Sequence, residues 1–227
     1  MSAPPRNDSS CEQRPAKLTR DWVSMSLESE FGQIDIYWFD QILRGRVGPH
    51  DKVVDAGCGF GRNLIYLMRE GWQVFGLDQD PDVIAEVRRL ARTLTPALPS
   101  ENFRAEPLER SSFPDGFATV VLSSAVLHFA CDDDAFDAML AGSWRLLAPG
   151  GMFFCRLAST IGIEGRIERI GPSGRRYRLP DGTDRYLVDE AFLMERTGRL
   201  GGQLLDPIKT TIVQNQRAMT TWVVRRR

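Results

Sequence analysis

A doubly wound α/β sheet is the fold class this sequence predicts, on three observations. Short β-branched or apolar runs alternate with helical stripes between Val53 and Leu157. The connections between them are short. Phe117 to Ser123 (FATVVLS) is a continuous apolar run, as a central parallel strand covered on both faces requires. The chain is long enough to support such a core: 227 residues, 42% hydrophobic and 26% charged, fit one domain that needs no disulfide or metal staple.

The elements follow in order. Residues 1–20 are polar and proline-rich and read as a loose tail. Residues 21–44 read as a helical, lid-like segment, with Phe31, Tyr37, Trp38 and Phe39 among its aromatics. Val53-Val54-Asp55 is a strand ending at glycines. A helix follows over 62–70, stopped by Gly71. Val74 to Leu77 is the second strand, and Asp80-Pro81 opens the second helix with a capping carboxylate and a proline at the first helical position. Residues 102–105 form a short third strand. After the apolar run come a helix over 132–147, ended by Pro149-Gly150-Gly151, and a fifth strand over 152–157. Residues 159–188 lack periodicity and read as a Gly/Arg-rich insertion in a domain spanning 45–227. Residues 189–200 are helical, and 204–213 and 218–225 form a hairpin around Gln214 to Arg217.

Charge and composition exclude several function classes. Twenty-nine basic against thirty acidic residues give a net charge of −1, which argues against a protein that grips nucleic acid by bulk charge. No apolar run approaches the roughly 18 residues of a membrane span, and the N-terminus has no signal-like stretch, so a cytoplasmic location is expected. Cys11, Cys58, Cys131 and Cys155 are far apart, and His50 and His128 are the only histidines, so no metal site is expected.

The strongest signal is Val53-Val54-Asp55-Ala56-Gly57-Cys58-Gly59-Phe60-Gly61-Arg62-Asn63: a strand, a glycine-rich turn and a helix start whose free amides face a ligand. Asp78 ends the second strand, placed to accept hydrogen bonds from ribose hydroxyls. The glycine spacing is GxGxG, neither the GxGxxG of dinucleotide sites nor a P-loop. Asp55 would repel a pyrophosphate and suits an ammonium group. A ribose, an ammonium and no phosphate together describe S-adenosylmethionine.

This run resembles motif I of the class I S-adenosylmethionine-dependent methyltransferases. The resemblance implies a Rossmann-like, seven-stranded sheet with an antiparallel C-terminal strand. It also implies that Asp55, Gly57, Cys58, Gly59, Gly61 and Asn63 form the methionine-side loop, that Asp78 binds the ribose and that Gln79 lies beside the adenine. Ser123 and Ser124 match the position that closes over the cofactor near its sulfonium. Before Phe113-Pro114-Asp115 the family often carries an acid that contacts adenine; Pro107 stands there, so adenine recognition falls to the Leu108 amide or to Glu109. A narrower resemblance, in GCGFGRNLIYL and in Leu122 to Phe129, is to the tellurite-resistance methyltransferases.

His128 is a candidate general base and Tyr37 a candidate substrate contact, each weighed against an ordinary structural role. Arg166, Arg169, Arg175, Arg176 and Arg178 form a basic stretch that either guides an anionic substrate or is a solvated face. The expected activity is methyl transfer to a small acceptor, an anion or a chalcogen or thiol nucleophile. A non-catalytic S-adenosylmethionine-binding partner or sensor remains open. So does a nicotinamide-dependent oxidoreductase, which the glycine spacing disfavours.

Overall fold

The computed structural model describes residues 26–227. The expected tail, residues 21–25 of the lid-like segment, and Cys11 lie outside them. The main sheet is built from β1 (Lys52–Ala56), β2 (Gln73–Asp78), β3 (Phe103–Ala105), β4 (Ala118–Ser124), β5 (Leu147–Ser159), β10 (Lys209–Val213) and β11 (Arg217–Arg226), in the spatial order β10-β11-β5-β4-β1-β2-β3. Strands β3, β2, β1, β4 and β5 run parallel, and β11 enters antiparallel beside β5. A short strand, β9 (Gly202–Leu204), pairs with the end of β11.

Both faces of the sheet are covered, and the strand residues sort between them by alternation. Val54, Val121, Phe153, Cys155 and Trp222 pack in one core, and Val53, Val120, Leu122, Phe154 and Val223 in the other. Helices α5 (Asp133–Leu146) and α6 (Glu190–Arg199) lie on the first face. Helices α2 (Ile36–Leu43), α3 (Ile65–Arg69) and α4 (Pro81–Leu94) lie on the second, with a short α1 (Leu27–Phe31) before them. Trp38, fully buried, inserts its ring edge against Phe154 (5.6 Å between centroids), which anchors α2 to the sheet.

Several helix starts follow the expected local chemistry. Asp80 caps α4 by accepting from the Asp82 and Val83 amides, with Pro81 in the first turn. Asp132 and Asp189 cap α5 and α6 in the same way. The hairpin between β10 and β11 closes through Gln214 (φ 47°) and Asn215 (φ 57°), with the Gln216 N–H bonded to the Val213 carbonyl. Positive φ at the two central residues of the turn, in a three-residue connection over 214–216, matches the right-handed twist of the flanking strands.

Three elements differ from expectation. The run 204–213 is broken into β9 and β10 because Pro207 has no N–H to give a strand ladder and Asp206 turns inward to meet Gln41 and Arg46. Helix α3 begins only at Ile65, because Gly61 (φ 76°) still belongs to the turn. Residues 159–188 are ordered as a small antiparallel sheet of β6 (Glu168–Arg169), β7 (Arg176–Arg178) and β8 (Asp184–Tyr186). Its strands are two or three residues long, too short to show a period in sequence.

Candidate active site

The carboxyl ends of β1, β2 and β4 open onto a cavity of about 680 Å³, lined among others by Gly57, Cys58, Gly59, Arg62, Asn63, Asp78 and Ser124. Parallel sheets bind ligands at this edge, where the strand order reverses. Here that point is β1, with β2 on one side and β4 on the other.

The glycine corner is held from below: the Gly57 and Cys58 amides both donate to the Leu77 carbonyl (2.8 and 2.9 Å). Its glycines are required for different reasons. A Cβ on Gly57 (φ 89°) would stand 2.5 Å from a Val126 methyl, whereas Gly59 (φ 51°) has nothing within 4 Å of that position. The open space over Gly59 is the cradle a ligand would fill. Asp78 secures the corner: its two oxygens accept from the Gly59 N–H (3.1 Å) and the Asp80 N–H (3.1 Å). The carboxylate is thereby fixed in orientation while keeping lone pairs free for a diol.

Asp55 is buried under the loop, 1% exposed, and neither of its oxygens has a hydrogen-bond partner among the described residues. Burial opposes its ionisation and pushes its pKa up to about 7; Asp78 adds to this, while Arg62 and the neighbouring Asn63 side chain pull the other way. A buried carboxylate with only the Asn63 side chain beside it and Arg62 acting through space is costly to ionise unless a cation completes it.

The opposite wall is the 3-10 turn at Leu108–Arg110. Leu108 and Glu109 both line the cavity, as does Gln79 on its rim. Glu106 does not: its carboxylate is occupied by Ser111 and by the Ser112 amide and hydroxyl. Gly142 of α5 packs directly against this turn, where an added Cβ would lie 2.4 Å from the Leu108 carbonyl oxygen. Gly142→Ala is therefore expected to push the Leu108–Arg110 turn into the cavity. It should lower stability by about 1–3 kcal/mol and weaken nucleoside binding, as thermal unfolding and calorimetric titration would show.

Ser123 and Ser124 separate. Alternation along β4 turns only Ser124 toward the cavity, and Ser123, fully buried, faces away from it. The expectation that both border the cofactor cavity is corrected: Ser124 lines it and Ser123 does not. Its hydroxyl donates to Asp35 Oδ2 (3.0 Å) and accepts from Arg62 (3.3 Å). Asp35 also caps α2 and pairs with Arg156 of β5 (3.2 Å). This partly buried Asp35–Ser124–Arg62–Arg156 network ties the N-terminal segment to the cavity floor. Sequence reasoning missed Asp35, Arg62 and Arg156. Only the Asp35 capping position carries a local signal, and the other two are brought in by tertiary packing.

Tyr37 lies outside the cavity. Its hydroxyl shares a hydrogen bond with Thr211 (2.5 Å) and its ring lies beside Arg156 (5.3 Å), so it fastens α2 to β10 and is not a substrate contact there. His128 is not on this cavity either; it lines a neighbouring one. Its Nδ1 accepts the Ala158 N–H (3.1 Å), which leaves the proton of the neutral ring on Nε2. Burial, with Arg185 and Arg156 nearby, lowers its pKa to about 4. With its lone pair engaged, the ring is a hydrogen-bond donor, and the general-base role is corrected accordingly. Cys58 is inert: its Sγ sits against Gly76 inside the sheet, and burial raises its pKa well above the ordinary value.

The basic stretch also resolves into structural roles. Arg175 pairs with Asp189, Arg178 with Asp184, Arg176 donates to the Ala130 carbonyl and Arg169 to the Gly174 carbonyl, while Arg166 is exposed.

Comparison with known proteins agrees with this geometry. Residues 54–155 match the family model described as a methyltransferase domain. The fold is that of the class I S-adenosylmethionine-dependent methyltransferases. A methyltransferase of Methanosarcina mazei superposes with a TM-score of 0.67 at 18% identity, covering 82% of this chain and 96% of that one. The 1,6-didemethyltoxoflavin-N1-methyltransferase of Burkholderia thailandensis, solved with bound S-adenosylhomocysteine, superposes with a TM-score of 0.59 at 22% identity, covering 82% of this chain and 75% of that one. A probable S-adenosylmethionine-dependent methyltransferase of Mycolicibacterium smegmatis is 30% identical over 143 residues, 60% of this chain and 51% of that protein. The chain spans about half the length of the curated relatives it matches. These findings support S-adenosylmethionine as the cofactor of the class I fold seen here. They support the broad class and do not single out the tellurite-resistance family. Among the described residues no helix is long and apolar enough to cross a membrane.

Proposed function

We propose that the protein transfers a methyl group from S-adenosylmethionine to a small-molecule acceptor. The observation that carries this reading is the glycine corner, whose open side faces the cavity, with the Asp78 carboxylate on its edge and the Asp55 carboxylate buried beneath it beside Asn63. Two acids, one lining the cavity and one under its floor, favour a cation, and the α-ammonium of the cofactor is one. Asp78 holds the ribose hydroxyls, and Leu108, Glu109 and Gln79 bound the adenine. Arg62, anchored by Gln33 and Ser124, supplies positive charge for the methionine carboxylate.

Bound there, the cofactor supplies an electrophilic methyl: the acceptor's lone pair forms the new bond as the sulfur–carbon pair returns to sulfur, leaving S-adenosylhomocysteine. The chain's own contribution is alignment and exclusion of water. His128 has no free lone pair to take a proton, which favours acceptors whose attacking lone pair is free without prior loss of a proton, ionised or neutral. That fits a small anion or a thiol or chalcogen nucleophile, and the local resemblance to the tellurite-resistance methyltransferases supports the same choice.

Incubation with methyl-labelled S-adenosylmethionine and a panel of small acceptors should yield labelled product and S-adenosylhomocysteine. Tight cofactor binding with no turnover on any acceptor would instead favour a non-catalytic binder.

A further inference from the structure

A second cavity, of about 270 Å³, adjoins the first through a shared wall residue, Ala125. Ala125 sits at φ 63°, in the left-handed region that alanine seldom occupies, held by a hydrogen bond from its N–H to the Arg156 carbonyl (2.7 Å). This conformation turns the chain sharply after β4, so that Val126 and Phe129 face the cofactor cavity and His128 faces the second one. Arg185 bridges the two, its guanidinium 4.8 Å from the centre of the Phe129 ring. The small sheet of residues 168–186 and the β10–β11 hairpin close the second cavity from outside, contributing Thr183, Arg185 and Arg217.

The polar groups of this cavity are one-sided. Three guanidiniums line it, those of Arg156, Arg185 and Arg217. Arg156 is paired on one side with Asp35, while its Nε is buried without a partner. Arg185 has one donor on the Asp184 carbonyl. The side chain of Arg217, an exposed residue at the start of β11, makes no hydrogen bond or ion pair among the described residues. The Nε2–H of His128 is a further donor, since Nδ1 is already engaged by Ala158. Against these stands one acid, Asp181, held by the Thr183 amide and hydroxyl (3.0 and 2.6 Å) and acting on Arg217 and Arg185 only through space. Clustered cations that face a concave space with few partners suit an anion.

We propose that this second cavity is the acceptor site and that it takes a small organic acid, whose carboxylate is held by Arg156, Arg185 and Arg217 while a lone pair on the remainder of the acid is directed past Ala125 to attack the cofactor's methyl. This rests on the methyltransferase reading above and deepens it. A monoanion matches the charge better than a dianion. Of the three cations, one is already shared with Asp35, and Asp181 offsets part of the rest. None of the five arginines that stand out in the sequence of the insertion lines this cavity.

The test is binding of acetate, pyruvate, benzoate and phenylacetate, each beside its primary amide and beside phenyl phosphate, to protein saturated with S-adenosylhomocysteine. Thermal shift and calorimetry read the result. At least one carboxylate should bind while its amide does not, and Arg217→Gln and Arg185→Gln should each weaken it about tenfold. S-Adenosylhomocysteine titrated alone into the same variants reports that they are folded. The proposal is overturned if no carboxylate binds, if an amide binds as well as its acid, if the arginine variants bind as the parent does, or if phenyl phosphate binds more tightly than every carboxylate. Failure of S-adenosylhomocysteine to bind the parent protein would overturn the methyltransferase reading itself. Normal cofactor binding with any of the other four results overturns the acceptor assignment alone.

Discussion

Alanine in place of Asp78 is expected to weaken S-adenosylhomocysteine binding by about 10²- to 10³-fold. Two costs add. The first is loss of charge-assisted hydrogen bonds to the ribose, each of the order of 1.5–3 kcal/mol. The second is loss of the carboxylate that holds the Gly59 and Asp80 amides, so that the glycine corner is no longer pinned to the end of β2. Asp78→Asn keeps one acceptor oxygen and should fall between, at about tenfold. Isothermal calorimetry measures both. Unchanged affinity in Asp78→Ala would remove the ribose from this position.

The second large effect concerns Asp55 and pH. In the ligand-free protein its pKa is raised to about 7 from an ordinary carboxylate value of 3.8. The folded state therefore holds a proton that the unfolded state releases as pH rises from about 4 to about 7. Stability from this group is greatest below that window and falls across it, by as much as roughly 4 kcal/mol. Asp55→Asn removes the titration. Without cofactor, the variant should be more stable than the parent at pH 8 and close to it at pH 4, and thermal unfolding across this range reads the difference. Binding should respond with the opposite sign: a bound ammonium favours ionised Asp55. Parent affinity for S-adenosylhomocysteine should then rise by up to about tenfold for each pH unit approaching 7, while the variant's stays flat and weaker. Parallel stability profiles for the two proteins would show that Asp55 does not titrate in this window.

Both effects depend on residues that local chemistry makes legible. A strand must end before Gly57, the next must end at Asp78, and glycines must turn the chain between strand and helix; these constraints are local, so the letters display them. The same is true of Asp80-Pro81 at the start of α4 and of the aspartates that cap α5 and α6. The parts that stayed hidden are those that long-range packing decides. Arg156 and Asp35 are 121 residues apart and meet in a partly buried ion pair, and nothing near either residue in the sequence announces the other. Ser123 and Ser124 are indistinguishable until the register of β4 assigns them opposite faces. His128 reads as a base until the backbone of Ala158, on the neighbouring strand, occupies its Nδ1.

The sequence by itself thus determined the sheet, the glycine corner, and the placing of Asp55 and Asp78 at the ends of β1 and β2, because each arises from strand period, turn chemistry or capping over a few residues. Only the tertiary structure decided which arginines are bound up structurally and which line a cavity. Arg175 and Arg178 spend their charge on Asp189 and Asp184, whereas Arg156, Arg185 and Arg217, scattered over β5, the small sheet and the hairpin, converge on one space. A charge acts through the groups that surround it, and those are set by how distant strands come together.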